Sequence, residues 1–233
     1  MRVQTGSEIL DGLLEGGYEN DIITSIYGPA GSGKTLICML SALSMARNGK
    51  KVIYVDSEGG WSFERAAQIA RDCKKLLNKI IFLKPTSFAE QMECFDKLKG
   101  LVDNRIGLIV IDTISMLYRL ELGKDNVQEI NREMGMQLGW LNEIARKENI
   151  PVLVANQVYS SFEDKDKVCI VGGDLLRYSS KCLIELQSLA GGNKRAILRK
   201  HRSVGEKTVI FRIAENGIVA AKESTQKLRF WHR

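Results

Sequence analysis

Eight consecutive residues, Gly28-Pro29-Ala30-Gly31-Ser32-Gly33-Lys34-Thr35, carry the densest chemical signal in the chain. They fit the complete phosphate-binding-loop pattern, with an apolar strand-like run before them and a helix-like run after them. Glycines let successive backbone N–H groups curl towards phosphate oxygens, and a helix that starts there turns its positive end on the same anion. Lys34 has the reach for β- and γ-phosphates, and the Thr35 hydroxyl is a ligand for Mg²⁺. The alternative is a chance glycine turn, which the flanking strand and helix argue against.

Three further positions lie where such a site draws its remaining chemistry. Asp112 follows the apolar run Leu108–Ile111, where a second, acidic Mg²⁺-associated group is expected. A carboxylate there also caps turns, so the loop decides in favour of the metal. Glu58, in Asp56-Ser57-Glu58-Gly59-Gly60, follows the next strand; ligands of open α/β sheets gather beyond such strand ends, so Glu58 should face the γ-phosphate and activate water. Asn156-Gln157 holds the same edge after Val152–Val154, where an uncharged amide would sense a γ-phosphate; an ordinary polar loop start fits that spacing equally well.

These residues need a scaffold of strands ending on one side. Ile22–Tyr27, Val52–Val55, Ile80–Leu83, Leu108–Ile111 and Val152–Val154 read as buried strands. Helices are expected from about Thr35 to Arg47, after the capping box Ser87-Phe88-Ala89-Glu90, and along the face Ile130, Met134, Leu138, Leu141, Ile144. Gly49 should end the first of these. Continuous apolar strands alternating with helices predict an α/β fold with a mostly parallel central sheet flanked by helices. From Cys182 the pattern changes to short alternating segments, Cys182–Leu186, Ala196–Lys200, Thr208–Ile213 and Ile218–Ala220, with a hairpin at Asn216-Gly217; an antiparallel C-terminal extension is expected.

Composition bounds the rest. The chain has 233 residues, 44% of them hydrophobic and 27% charged, which excludes a disordered, collagen-like or coiled-coil protein and predicts a single domain over 1–233. No apolar run is long enough to span a bilayer and the start lacks a secretory h-region, so a cytoplasmic protein with no membrane contact is expected. Five scattered cysteines and two histidines do not make a zinc site. The net charge of +6 suits a polyanionic partner without requiring one.

Thr5-Gly6, Leu10-Asp11, Leu13-Leu14-Glu15-Gly16-Gly17, the loop at 28–35, the Asp56–Gly60 segment with Glu64-Arg65, Ile111-Asp112, Tyr118-Arg119 and Val154–Val158 occur in the order found in the RecA/Rad51/RadA recombinases. From about residue 3 to 222 the chain resembles that family, above all its short archaeal branch without the N-terminal domain. The resemblance implies a RecA-like ATPase core with ATP and Mg²⁺ as cofactors. It makes Glu58 the water-activating glutamate, Gln157 the γ-phosphate sensor and Arg65 a residue against the adenine. It places Tyr118–Asn126, Arg119 included, in a first DNA-facing loop and Val158–Val171 in a second, followed by Gly172-Gly173. Lys200 and Arg202, in Lys200-His201-Arg202, match a pair that reaches a neighbouring protomer's γ-phosphate.

Departures narrow the expected role. No upstream segment supplies the filament contact, and Tyr159–Lys167 holds three acids against two lysines, where a nucleic-acid groove relies on net positive charge. Positive charge gathers late instead, at Lys194-Arg195, Arg199–Arg202 and the tail 227–233. There Arg195, Arg229, Trp231 and Arg233 suit phosphates and bases, or the tail simply folds back on the core. The expectation is an ATP- and DNA-binding protein of repair and homologous recombination. It would hydrolyse ATP weakly and assist the main RadA/Rad51-type recombinase on single-stranded or branched DNA, alone or as a homo-oligomer, without exchanging strands itself. A nucleotide-gated protein-interaction module and a KaiC-like signalling ATPase are the alternatives.

Overall fold

The structure, a computed structural model, describes residues 1–160 and 168–221. A two-residue pairing of β1 (Arg2–Val3) with β2 (Tyr18–Glu19) brackets α1 (Glu8–Leu13). β3 (Ile23–Tyr27) then runs into the glycine loop and α2 (Lys34–Arg47), whose flank is buried almost all round. β4 (Lys51–Asp56), α3 (Phe63–Ile69), α4 (Cys73–Leu77), β5 (Ile80–Leu83) and α5 (Phe88–Leu101) follow. Next come β6 (Ile106–Asp112), α6 (Ser115–Glu121), α7 (Val127–Glu148) and β7 (Val152–Asn156). β8 (Val158–Ser160) and β9 (Val168–Ile170) form a small antiparallel ladder before α8 (Gly173–Ser179), and β10 (Cys182–Ser188), β11 (Asn193–Lys200), β12 (Lys207–Ala214) and β13 (Gly217–Ala220) finish the chain.

Nine strands make one sheet in the order β13-β12-β11-β10-β3-β7-β6-β4-β5. Alternation along each central strand divides the core between the two faces. Val52, Tyr54, Leu108, Val110, Leu153 and Ala155 pack towards α1 and α2, while Ile53, Val55, Ile109, Ile111, Val152 and Val154 pack towards α5, α6 and α7. All five α7 positions named from the sequence are buried in that second layer. Among the described residues no helix is long and apolar enough to cross a membrane.

Three expectations need correction. β10 does not belong to the antiparallel extension on both sides: it lies parallel to β3, and the direction reverses only at β11. The capping box is half formed. Ser87 accepts from Glu90 N, but the Glu90 carboxylate turns back to Thr86 N and Oγ1 instead of Ser87 N. The last hairpin turns on Glu215-Asn216, with Ala214 opposite Gly217; the positive φ of 124° falls on Gly217 alone, which also approaches Leu40.

Candidate nucleotide-phosphate site

Parallel strands β3, β7, β6 and β4 all end on one edge, and the glycine loop crosses it from the end of β3 to the start of α2. The loop sits hard against β10: a Cβ at Gly28 would lie 2.4 Å from Leu186 O and 2.9 Å from Ser32 Oγ. Gly28, Ala30, Gly31, Gly33, Lys34, Thr35 and Leu36 line a cleft of about 440 Å³ whose other walls are Glu58, Arg119, Gln157, Val158 and Ile213. Pro29 and Ser32 complete the loop; Ser32 Oγ is buried with no partner among the described residues. Lys34 Nζ donates to Gly28 O at 2.8 Å and Pro29 O at 2.9 Å. Burial lowers its pKa, against the pull of Glu58 and Asp112. A bound phosphate would offer that ammonium better acceptors than two carbonyls.

Thr35 and Asp112 meet across 77 positions of sequence. Thr35 Oγ1 donates to Asp112 Oδ1 at 3.3 Å, and the buried Tyr54 hydroxyl donates to Asp112 Oδ2 at 2.8 Å. Burial pushes Asp112 up to about 6, only partly opposed by those two hydrogen bonds. Gly60 closes over the pair, where a Cβ would touch Thr35 Cγ2 at 3.3 Å. An oxygen-only pair of one hydroxyl and one carboxylate suits Mg²⁺, which draws most of its six ligands from water and phosphate. Among the described residues no cluster of three His, Cys, Asp or Glu competes for a metal.

β4 and β6 are stitched together beyond their ends. Ser57 N donates to Asp112 O at 3.0 Å, and Thr113 N donates to Ser57 Oγ at 3.0 Å. Asp56 accepts from Gly60 N at 2.9 Å, which folds the turn carrying Glu58. Glu58 Oε1 then accepts from Thr113 Oγ1 at 2.7 Å and from Gln157 Nε2 at 2.6 Å. Gln157 Oε1 in turn accepts from Arg119 Nη1 at 3.0 Å. So the two residues expected at the γ-phosphate do converge, together with a third, Arg119, which the resemblance had placed on a DNA-facing loop. α6 runs through Glu121, so four of the nine residues Tyr118–Asn126 are helix, and the buried Tyr118 hydroxyl donates to Asn131 Oδ1.

Other expected residues lie apart. Arg65 does not line the cleft; its guanidinium donates to Ala214 O, Glu215 O and Gln68 Oε1 at the β12–β13 turn, next to the lining residue Ile213. Lys200 Nζ donates to Arg177 O and Ser180 O at the end of α8. Arg202 pairs with Glu19 and doubly with Asp21. Arg195 Nη1 donates to Gln187 Oε1 at 3.3 Å on the sheet extension. The acidic centre of the second loop and the tail residues Arg229, Trp231 and Arg233 fall outside the described residues.

Comparison with known families turns on the same stretch of chain. The Rad51 family model matches residues 1–221. The chain belongs to the Rad51 family. Within the family it is similar to the DNA repair and recombination protein RadB of Methanobrevibacter smithii, 44% identical over 226 residues, covering 94% of this chain and 95% of that one. A RadB of Methanococcus maripaludis strain C7 is 43% identical over 221 residues, covering 93% and 100%. The crystal structure of a RadB recombinase superposes with a TM-score of 0.81 at 37% identity, over 94% of this chain and 99% of the other. Rad51-family membership sets the KaiC-like alternative aside, and the family fold implies nucleotide binding with Mg²⁺.

Proposed function

We propose that this Rad51-family chain is an ATP- and DNA-binding protein of DNA repair and recombination, which hydrolyses ATP weakly and assists a main recombinase instead of exchanging strands itself. One observation carries the nucleotide part of the reading: Lys34, Thr35, Asp112, Glu58 and Gln157, from four different strand ends, border or underlie one cleft. Residues 28–35 would hold the phosphates and Lys34 their charge. Thr35 and Asp112 would hold Mg²⁺, which lends its charge to the phosphate oxygens when bound. Glu58 would take a proton from the attacking water and Gln157 would meet the γ-phosphate. Arg65, tethered by its edges to two carbonyls, would offer its flat face to an adenine.

The RadB likeness supports the recombination role, and the near-neutral centre of the second loop supports the accessory one. DNA would then rest on later basic residues such as Arg195, Arg229 and Arg233, with Trp231 as a stacking surface. That same neutral loop favours a second reading, a nucleotide-gated module read by a protein partner with little DNA contact. ATP turnover with and without single-stranded DNA, paired with a strand-exchange assay, tests the proposal. Slow turnover, salt-dependent DNA binding and no exchange are expected. Rapid DNA-stimulated turnover with strand exchange refutes the accessory role, and DNA affinity that is weak and indifferent to salt hands the case to the second reading.

A further inference from the structure

Arg119 lies four residues after Ser115, so the two share one side of α6. Both engage Gln157. Its backbone N–H donates to Ser115 Oγ at 3.2 Å, and its side-chain Oε1 accepts from Arg119 Nη1 at 3.0 Å. The other end of the amide, Nε2, donates to Glu58 Oε1 at 2.6 Å. Arg119, Gln157 and Glu58 all line the cleft that contains Lys34 and Thr35.

This row has only one favourable polarity. A guanidinium holds donors and no acceptor, an ionised carboxylate holds acceptors and no donor, and an amide has one of each. With Arg119 present, Oε1 is fixed outward and Nε2 faces the anion. Without it the amide turns about its last bond, and an Oε1 facing Glu58 or a phosphate would set like against like.

The geometry points to Arg119 as a positioning residue for hydrolysis: it fixes the orientation of the Gln157 amide, so that the NH₂ end, which donates to Glu58 and lies 4.0 Å from Met116 Sδ, is the end offered to an arriving γ-phosphate. When phosphate draws Nε2 away, Glu58 Oε1 keeps the Thr113 hydroxyl as donor and gains one acceptor position for water, while Arg119 keeps its hold on Gln157 Oε1 in both states. Arg119 thereby ties α6, and the loop after it, to the state of the nucleotide site. The inference rests on the reading above that this site hydrolyses ATP.

The test measures ATP turnover and fluorescent-ATP affinity of the full chain as Arg119→Ala, Arg119→Lys, Gln157→Ala and the double Arg119→Ala/Gln157→Ala. Misplacing one catalytic contact costs about tenfold or more, so Arg119→Ala should lose about tenfold in kcat with affinity held within about twofold. Arg119→Lys keeps a donor and should regain most of the rate; the double variant should be no slower than Gln157→Ala. An unchanged kcat in Arg119→Ala, or a double variant in which the two losses multiply, overturns the assignment. So does a variant whose sole defect is DNA affinity. If wild-type turnover does not exceed that of Lys34→Ala, the hydrolysis reading itself fails. The side-chain NH₂ resonances of Gln157 then decide about Arg119 without turnover. They should shift in both Arg119→Ala and Glu58→Ala, and resonances indifferent to Arg119 overturn the inference.

Discussion

Substituting Gly28 by alanine should damage this site by sterics alone. Its φ lies outside the left-handed region, so backbone strain adds nothing, but the new Cβ would stand 2.4 Å from Leu186 O and 3.0 Å from Leu186 Cβ. The first is about 1 Å and the second about 0.4 Å short of ordinary contact, taken as 3.4 Å or more. Neither neighbour gives way easily. Leu186 is fully buried, and β10 is held on one side by parallel pairing to β3 and on the other by the Leu186–Ala196 register with β11. Overpacking of this kind costs about 1–3 kcal/mol. The loop is the softer partner, so it should move towards the cleft and spoil the phosphate cradle. Gly31→Ala is the control: φ is +70° and, beyond its chain neighbours, none of the described residues lies within 4 Å of the new Cβ, which leaves a conformational cost of about 1–2 kcal/mol. Gly31→Asn should recover much of it, since asparagine adopts that conformation more readily. Urea denaturation and fluorescent-ATP titration would be run on all three. Gly28→Ala should be the least stable and bind nucleotide most weakly. Wild-type stability and affinity in Gly28→Ala would refute the packing of the loop on β10.

Three other outcomes follow from named contacts. Asp112→Asn should abolish the gain in ATP affinity that Mg²⁺ confers while leaving metal-free binding nearly intact, measured by calorimetry with and without EDTA; an undiminished Mg²⁺ effect would place the metal elsewhere. His201 Nδ1 accepts from Ser203 N and Val204 N, and burial lowers its pKa. Its contribution is therefore complete above the ordinary histidine value near 6.5 and lost as pH falls through the depressed folded value. Urea midpoints should drop below pH 6.5 in the wild type and less in His201→Asn; equal acid sensitivity would contradict this. Arg202→Ala, losing an exposed pair with Asp21 and a part-buried one with the buried Glu19, should cost about 1–3 kcal/mol. If Arg202 reaches a neighbour's phosphate, the variant also loses any rise of turnover with chain concentration while keeping nucleotide affinity; turnover unaffected at every concentration refutes that reach.

What the sequence made legible was local or directional. Residues 28–35 are contiguous, so the loop, its strand and its helix were readable together. Glu58 and the Asn156-Gln157 edge were placed by the rule that ligands collect beyond the ends of parallel strands, and Asp112 by the acidic Mg²⁺-associated position that a phosphate loop calls for; these strands do end on one edge. Arg119 escaped because its partner is 38 positions away and nothing in Tyr118-Arg119 says which side of a short helix the guanidinium leaves. Lys200 and Arg202 were matched to a pair that reaches a neighbouring protomer's γ-phosphate, and nothing in Lys200-His201-Arg202 shows that within this chain each has acceptors supplied by distant backbone or by β2 and the turn after it. The direction of β10 was hidden for a similar reason: an apolar run states that a strand is buried and leaves its neighbour unnamed.

The central claim is that the cleft is a working Mg²⁺–ATP site. Calorimetric titration of ATP into the full chain with Mg²⁺ present tests it most directly, with Lys34→Ala alongside. One saturable site per chain, lost in Lys34→Ala, is predicted. No binding by the wild-type chain, or binding untouched in Lys34→Ala, would contradict it.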